Sequence, residues 1–267
     1  MVLTLTLAGC GGNAVPTGGA AGGGKKLKVV ATTTQLQDMA KNVLGNSVEL
    51  QGILTADADP HEYQPSADDA RKLADADIVL RSGVELEKWM DKLIQNSGTK
   101  ATIVDCSQGV SVHKGDAAKP AGDPHIWFNP ANAKLMVGNI LNAASAKDSA
   151  NTASYQANAD KYDQQIDDLD SYIKSAWATK IPNPADRKLV ANHDAFGYYI
   201  DRYQINFIGS VIPSMDTNYS PSAQDIASLE GKIKAQQVKA IFIESSINPK
   251  LAQQIASDTG VNVVAGK

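Results

Sequence analysis

Short apolar strands alternate with amphipathic helices twice along this chain, and one long helical segment separates the two stretches. Few folds satisfy such a pattern. Parallel strands need a crossover after each strand, and the crossover helices cover the faces of the sheet. In the first stretch, residues 26–33, 48–54, 78–80 and 101–104 read as strands, with helices over 36–44, 66–74 and 85–94. Residues 107–124 are polar and contain Gly and Pro, so they read as a loop. A helix over 130–146 follows. Between 151 and 177, Tyr155, Tyr162, Ile166, Leu169, Ile173 and Trp177 recur at three- and four-residue steps. A helix of that length runs roughly 40 Å at 1.5 Å per residue, and Ile181-Pro182-Asn183-Pro184 stops it. Strands at 188–191, 206–211, 240–243 and 261–264 then alternate with helices over 194–203, 222–236 and 249–259. The expected fold is α/β: two Rossmann-like lobes with parallel sheets, joined by a long rigid helix. The segments are 1–24, an N-terminal address and tether; 25–148, the first lobe; 149–182, the connecting helix; and 183–267, the second lobe.

Composition removes several classes of function. With 25 Lys+Arg against 29 Asp+Glu the net charge is −4, and no long basic run exists, which argues against a nucleic-acid partner. No run of about 20 apolar residues is present to span a membrane. Two cysteines, Cys10 and Cys106, make neither a disulfide framework nor a thiolate zinc site. The N-terminus instead carries an address. Leu7-Ala8-Gly9-Cys10 resembles the bacterial lipobox, whose cysteine is acylated, and residues 11–24 are nearly all small, as a flexible tether would be. Cys10 is therefore the expected lipid attachment. The protein is expected outside the cytoplasm, anchored to the outer face of the bacterial cytoplasmic membrane, at the cell surface or in a periplasm.

Of the four histidines, three occupy matching places. Asp59-Pro60-His61 and Asp123-Pro124-His125 repeat one tripeptide, each in a loop that opens onto a helix. His193 follows the apolar strand at 188–191. In open α/β sheets ligands bind beyond the carboxyl ends of the strands, so a site using all three lies in the cleft between lobes. Three neutral imidazoles need one more donor to complete a tetrahedron around zinc or a neighbouring transition ion. Asp59 and Asp123 could orient the neighbouring rings or could merely cap turns. His113, in the polar loop, lacks that context and reads as solvent-facing.

These segments carry a family resemblance. Asp59-Pro60-His61-Glu62-Tyr63-Gln64-Pro65-Ser66, Asp123-Pro124-His125-Ile126-Trp127-Phe128-Asn129-Pro130 and Asn192-His193-Asp194-Ala195-Phe196-Gly197-Tyr198 resemble, in order, three metal motifs of one family. These are the zinc/manganese substrate-binding proteins of ABC transporters, cluster A-I. Phe242-Ile243-Glu244-Ser245-Ser246 is similar to the strand end that follows. The resemblance covers residues 27–267. It implies two α/β lobes, His61, His125 and His193 as metal ligands, and delivery of Zn²⁺ or Mn²⁺ to a membrane permease without catalysis by a monomer. In the family a fourth carboxylate ligand lies past the strand at 261–264, whereas this sequence stops at Gly266-Lys267. The expectation is a C-terminally truncated chain, with Glu244 either behind the metal-binding nitrogens or as a substitute ligand.

His193 as the third ligand favours zinc over manganese or iron, whose selective binders often carry a carboxylate there. Two other readings remain open: a zinc-dependent hydrolase with Glu62 or Glu244 as base, and a surface adhesin. Histidine ligation predicts affinity that falls below about pH 6.

Overall fold

Strand β1 (Leu27–Ala31) buries Val29, Val30 and Ala31 almost completely because it runs through the middle of a sheet with both faces covered. In the computed structural model, which describes residues 25–265, it pairs in parallel with β2 (Val48–Gly52) on one side and β3 (Ile78–Arg81) on the other. Strand β4 (Thr102–Asp105) lies outside β3, giving the order β2-β1-β3-β4. Alternate residues of β1 face opposite ways, as a two-residue repeat requires. Val29 and Ala31 join a core with helices α1 (Thr34–Leu44) and α4 (Pro130–Lys147), while Val30 joins a second core with α2 (Ala67–Asp75) and α3 (Met90–Ser97). Ser66 and Asp69 form a reciprocal capping box at the start of α2.

The connecting segment is a single 29-residue helix, α5 (Thr152–Lys180). Its first half belongs to the core of the first lobe through Tyr155, Ala159 and Ile166. Its second half is tied to the second lobe by polar contacts. Asp170 accepts from Arg202 Nε at 2.7 Å, Arg202 Nη2 at 2.6 Å and the Tyr203 hydroxyl at 2.8 Å, and Trp177 Nε1 donates to the Tyr199 hydroxyl at 3.0 Å. The Arg202 guanidinium holds the Asp170 carboxyl well below the usual range.

The second lobe repeats the first sheet's topology. Strands β5 (Lys188–His193), β6 (Asn206–Ile212), β7 (Ala240–Ile243) and β8 (Asn262–Ala265) lie in the order β6-β5-β7-β8, all parallel. Helices α7 (Ala223–Ala235) and α8 (Lys250–Thr259) pack Leu229, Ile233, Ile255 and Ala256 against Val190, Val211 and Ile241. The α/β fold with two parallel-sheet lobes and a long joining helix is as the sequence implied. No helix among the described residues is long and apolar enough to cross a membrane.

Two helices start later than the periodicity suggests, each because a local contact holds the chain out of the helix. The segment read as helical from residue 85 forms a turn in which Val84 and Glu85 adopt positive φ, and α3 begins only at Met90. The Glu87 carboxylate organises that turn, accepting from Thr32 Oγ1 at 2.5 Å and from the Ser82 amide at 2.7 Å. Similarly, helix α6 (Gly197–Tyr203) starts three residues after Asp194, whose amide is bonded to the Ser214 carbonyl at 3.2 Å. Cys10 and the tether lie outside the described residues.

Candidate metal centre

The strand order decides where ligands can gather. In each sheet the chain turns one way after the first strand and the other way after the next, leaving a crevice at the carboxyl ends of the two central strands. In the second lobe those strands are β5 and β7, aligned with Ala191 opposite Phe242. Two residues further along stand His193, the last residue of β5, and Glu244, just past the end of β7, and His193 Nδ1 lies 2.6 Å from Glu244 Oε1. The first lobe contributes His61 and His125 from loops at its own carboxyl edge. All three rings are buried.

Their Nε2 atoms converge. His125 Nε2 lies 3.2 Å from His61 Nε2 and 3.0 Å from His193 Nε2, and one ligand atom from each histidine falls within 4.8 Å of the others. Zn–N bonds of about 2.0–2.1 Å in a tetrahedron put neighbouring nitrogens about 3.3 Å apart, so the His125 pairs already have the spacing of co-ligands. The rings are inclined to one another at 55–83°. The rings are thus not stacked on one another, and their edges can meet. The cleft around them has a volume of about 450 Å³ and is lined further by Asp59, Pro60, Phe128, Phe196 and Thr217.

Electrostatics keep the nitrogens available. Burial pushes the His61 imidazole down to about 2, with repulsion from His125 adding to it, and burial likewise holds His125 well below its ordinary value. Burial raises Asp123 to about 6, which leaves it ionised at neutral pH. Its Oδ1 accepts from the His125 amide at 2.9 Å and from Nδ1 at 2.8 Å. A carboxylate can only accept, so the ring proton sits on Nδ1 and the Nε2 lone pair is free. Glu244 does the same for His193.

The repeated Asp-Pro-His tripeptides differ in what their aspartates do. Asp59 Oδ1 accepts from the His61 amide at 2.9 Å and caps the turn, whereas His61 Nδ1 is buried with no partner among the described residues. The His61 loop is held from outside instead, by Trp89 Nε1 donating to the Pro60 carbonyl at 2.8 Å. That contact was not legible from residue spacing. Nor was the role of Tyr198, whose hydroxyl donates to the Asp123 carbonyl at 2.9 Å and accepts from the His113 amide at 3.1 Å. His113, expected to face solvent, is only partly so: its side chain is 33% exposed and stacks on Tyr198 with ring centroids 3.9 Å apart. The isolated loop histidine found an aromatic face on the other lobe. Of the two carboxylates considered as a base, Glu62 is exposed and Glu244 is engaged with His193.

Comparison with known proteins gives one consistent answer. The sequence profile of the family described as zinc-uptake complex component A, periplasmic, matches residues 29–267. The manganese ABC transporter substrate-binding lipoprotein PsaA of Streptococcus mitis is 32% identical over 255 residues, covering 92% of this chain and 81% of the relative. Among solved structures, the periplasmic zinc-binding protein TroA from Treponema pallidum superposes with a TM-score of 0.83 at 28% identity, covering 91% of this chain and 88% of that one. The laminin-binding protein Lmb of Streptococcus agalactiae, described as bifunctional with adhesin and metal-transporting activity, has a TM-score of 0.79 at 24% identity. It covers 90% of this chain and 89% of Lmb, and that likeness carries the fold alone.

Proposed function

The chain belongs to the zinc-uptake complex component A family, and from that premise we propose that it captures a divalent transition metal outside the cytoplasm and hands it to an ABC-transporter permease. The metal is cargo. The observation that carries the reading is the convergence of three imidazoles from two lobes, a ring nitrogen of each lying within 4.8 Å of the others. His61, His125 and His193 are the proposed ligands, with Glu244 and Asp123 orienting His193 and His125. Imidazole suits zinc and its neighbours better than it suits hard ions, so Zn²⁺ is the favoured cargo and Mn²⁺ the next.

The division of ligands between lobes supplies a route for release. His61 and His125 move together with the first lobe, while His193 and Glu244 move with the second. A small separation of the lobes removes one ligand and its orienting carboxylate at once, and the two remaining imidazoles hold the ion less well. The lipobox at Cys10, read with the lipoprotein names of relatives, supports a diacylglyceryl anchor that keeps the protein beside its permease. We assign the working units to residues 25–148, 149–182 and 183–267, acting as a monomer. Competitive titration with Zn²⁺ and Mn²⁺ tests the proposal: one ion per chain with zinc preferred is the expected result. Failure to bind either ion would remove it.

A further inference from the structure

The lobes meet at a second place that the metal chemistry does not use. The polar loop at 107–124 of the first lobe reaches the turn after β6 in the second. There Asp116 Oδ2 accepts from the Met215 amide at 2.9 Å and from Ser214 Oγ at 3.2 Å. Its other oxygen accepts from the amides of Ala118 and Lys119, both at 2.8 Å, which shapes the loop. Lys119 is completely buried, its Nζ donating to the Glu85 carbonyl at 3.0 Å and lying 3.4 Å from Asp216 Oδ2. Lys88 Nζ reaches the same carboxylate oxygen at 3.3 Å while bonded to the Ala118 carbonyl at 3.0 Å. Asp216 is itself 5% exposed.

A buried ammonium without a counter-ion is costly, far more so than a surface one. Among the described residues, the carboxylate paired with Lys119 belongs to the opposite lobe. Separation of the lobes therefore strips the buried Lys119 of its counter-charge and Asp116 of two donors in the same movement. Burial pulls Lys119 below its ordinary value and Asp216 pulls it back up, as a matched pair should. The cluster is also wired to the ligands. Lys119 lies six residues before His125, and the Ser214 carbonyl accepts from the amide of Asp194, next to His193.

We propose that Asp116, Lys119 and Asp216 are positioning residues that latch the two lobes together and so set how fast captured metal leaves. This rests on the metal-capture reading above. The test is stopped-flow release of Zn²⁺ from the loaded protein into excess chelator, with the radius of gyration of the metal-free protein from small-angle scattering. Asp216→Asn is expected to release zinc about tenfold faster and to be more open when metal-free. Its Co²⁺-substituted visible spectrum should remain that of the parent, since no ligand is touched. Asp216→Glu, which keeps the charge, should stay within about threefold of the parent, and Lys119→Met/Asp216→Leu should fall between parent and Asp216→Asn. Zinc release from Asp216→Asn at the parental rate, or faster release without opening, overturns the latch. Should Asp216→Asn fail to fold, Asp116→Asn decides on the same readout, because it removes charge but leaves the buried pair intact. A parental rate there likewise overturns the latch. A parent protein that binds no zinc removes the capture reading as well, so the two failures are distinguishable.

Discussion

Both lobes carry a four-stranded parallel sheet with the same strand order, yet they bury it differently. The first lobe packs a core on each face, one against α1, α4 and α5 and one against α2 and α3. The second packs its core on one face, against α7 and α8. Toward its other face, Phe242 and Val264 are each 41% exposed, and a hollow of about 560 Å³ opens between Trp177, Leu189, Tyr199 and Phe242. Topology thus fixes where ligands can gather without fixing how firmly each is held. Two histidines stand on the lobe with two cores, and the third stands on the lobe with one, steadied by Glu244, by α5 and by the contacts of Asp116 and Asp216.

The comparison is sharpest in core substitutions. Leu80→Ala, at a position 1% exposed in the first lobe, should cost about 2–5 kcal/mol by chemical denaturation, because it opens a cavity between close-packed neighbours. Phe242→Ala in the second lobe should cost less than about 1 kcal/mol, since much of that ring already meets solvent. Equal losses would break the asymmetry.

Ligand removal comes next. His125 touches both other rings, so His125→Ala should weaken zinc binding by on the order of 10²- to 10³-fold in competition titrations, roughly one ligand's share of a structural zinc site. A loss below tenfold would exclude it as a ligand. The orienting carboxylates should matter less, about 10- to 100-fold each. Asp123→Asn tests the first lobe and Glu244→Gln the second. A larger effect of Glu244→Gln is expected, because the second lobe packs a core on one face only, and the reverse order would contradict the view of the second lobe as the looser one.

The last expected effect concerns pH. In the metal-free protein His61 and His125 stay neutral while the unfolded chain protonates them below pH 6.5, so stability is lost as pH falls, by about 1.4 kcal/mol per pH unit per histidine. Asp123 acts oppositely. Raised to about 6, it takes up a proton on the folded protein before the unfolded one, and offsets one histidine between about pH 6 and 4. These three groups alone leave one net proton, a contribution of about 1.4 kcal/mol per pH unit that the raised carboxyls of Glu87 and Asp194 oppose. A pH 6-to-4 slope in thermal melts without metal that is the same for His61→Asn and the parent would contradict the assignment.

Much of this was legible in the residues. Strand–helix alternation specified both sheets because a parallel sheet leaves few alternatives, and the paired Asp-Pro-His tripeptides with His193 marked the three rings that the fold brings together. What could not be read depended on contacts between distant segments. Nothing local distinguishes Asp123, which orients its histidine, from Asp59, which caps a turn. The difference arises from the buried surroundings of Asp123 and from Tyr198 bonding to its carbonyl. His113 and Lys119 look like surface residues in a polar loop, and become interlobe contacts only once the second lobe folds against them. The late start of α3 escaped the helical pattern because Glu87 folds back onto the end of β3.

The central claim is that one metal ion is held by three imidazoles drawn from both lobes. X-ray absorption at the zinc edge of the stoichiometrically loaded protein tests it directly, because imidazole rings give a distinct multiple-scattering signature. The account predicts three imidazoles at about 2.0–2.1 Å with an oxygen donor completing the shell. A protein that retains no stoichiometric zinc, or a spectrum with one imidazole or fewer, would contradict it.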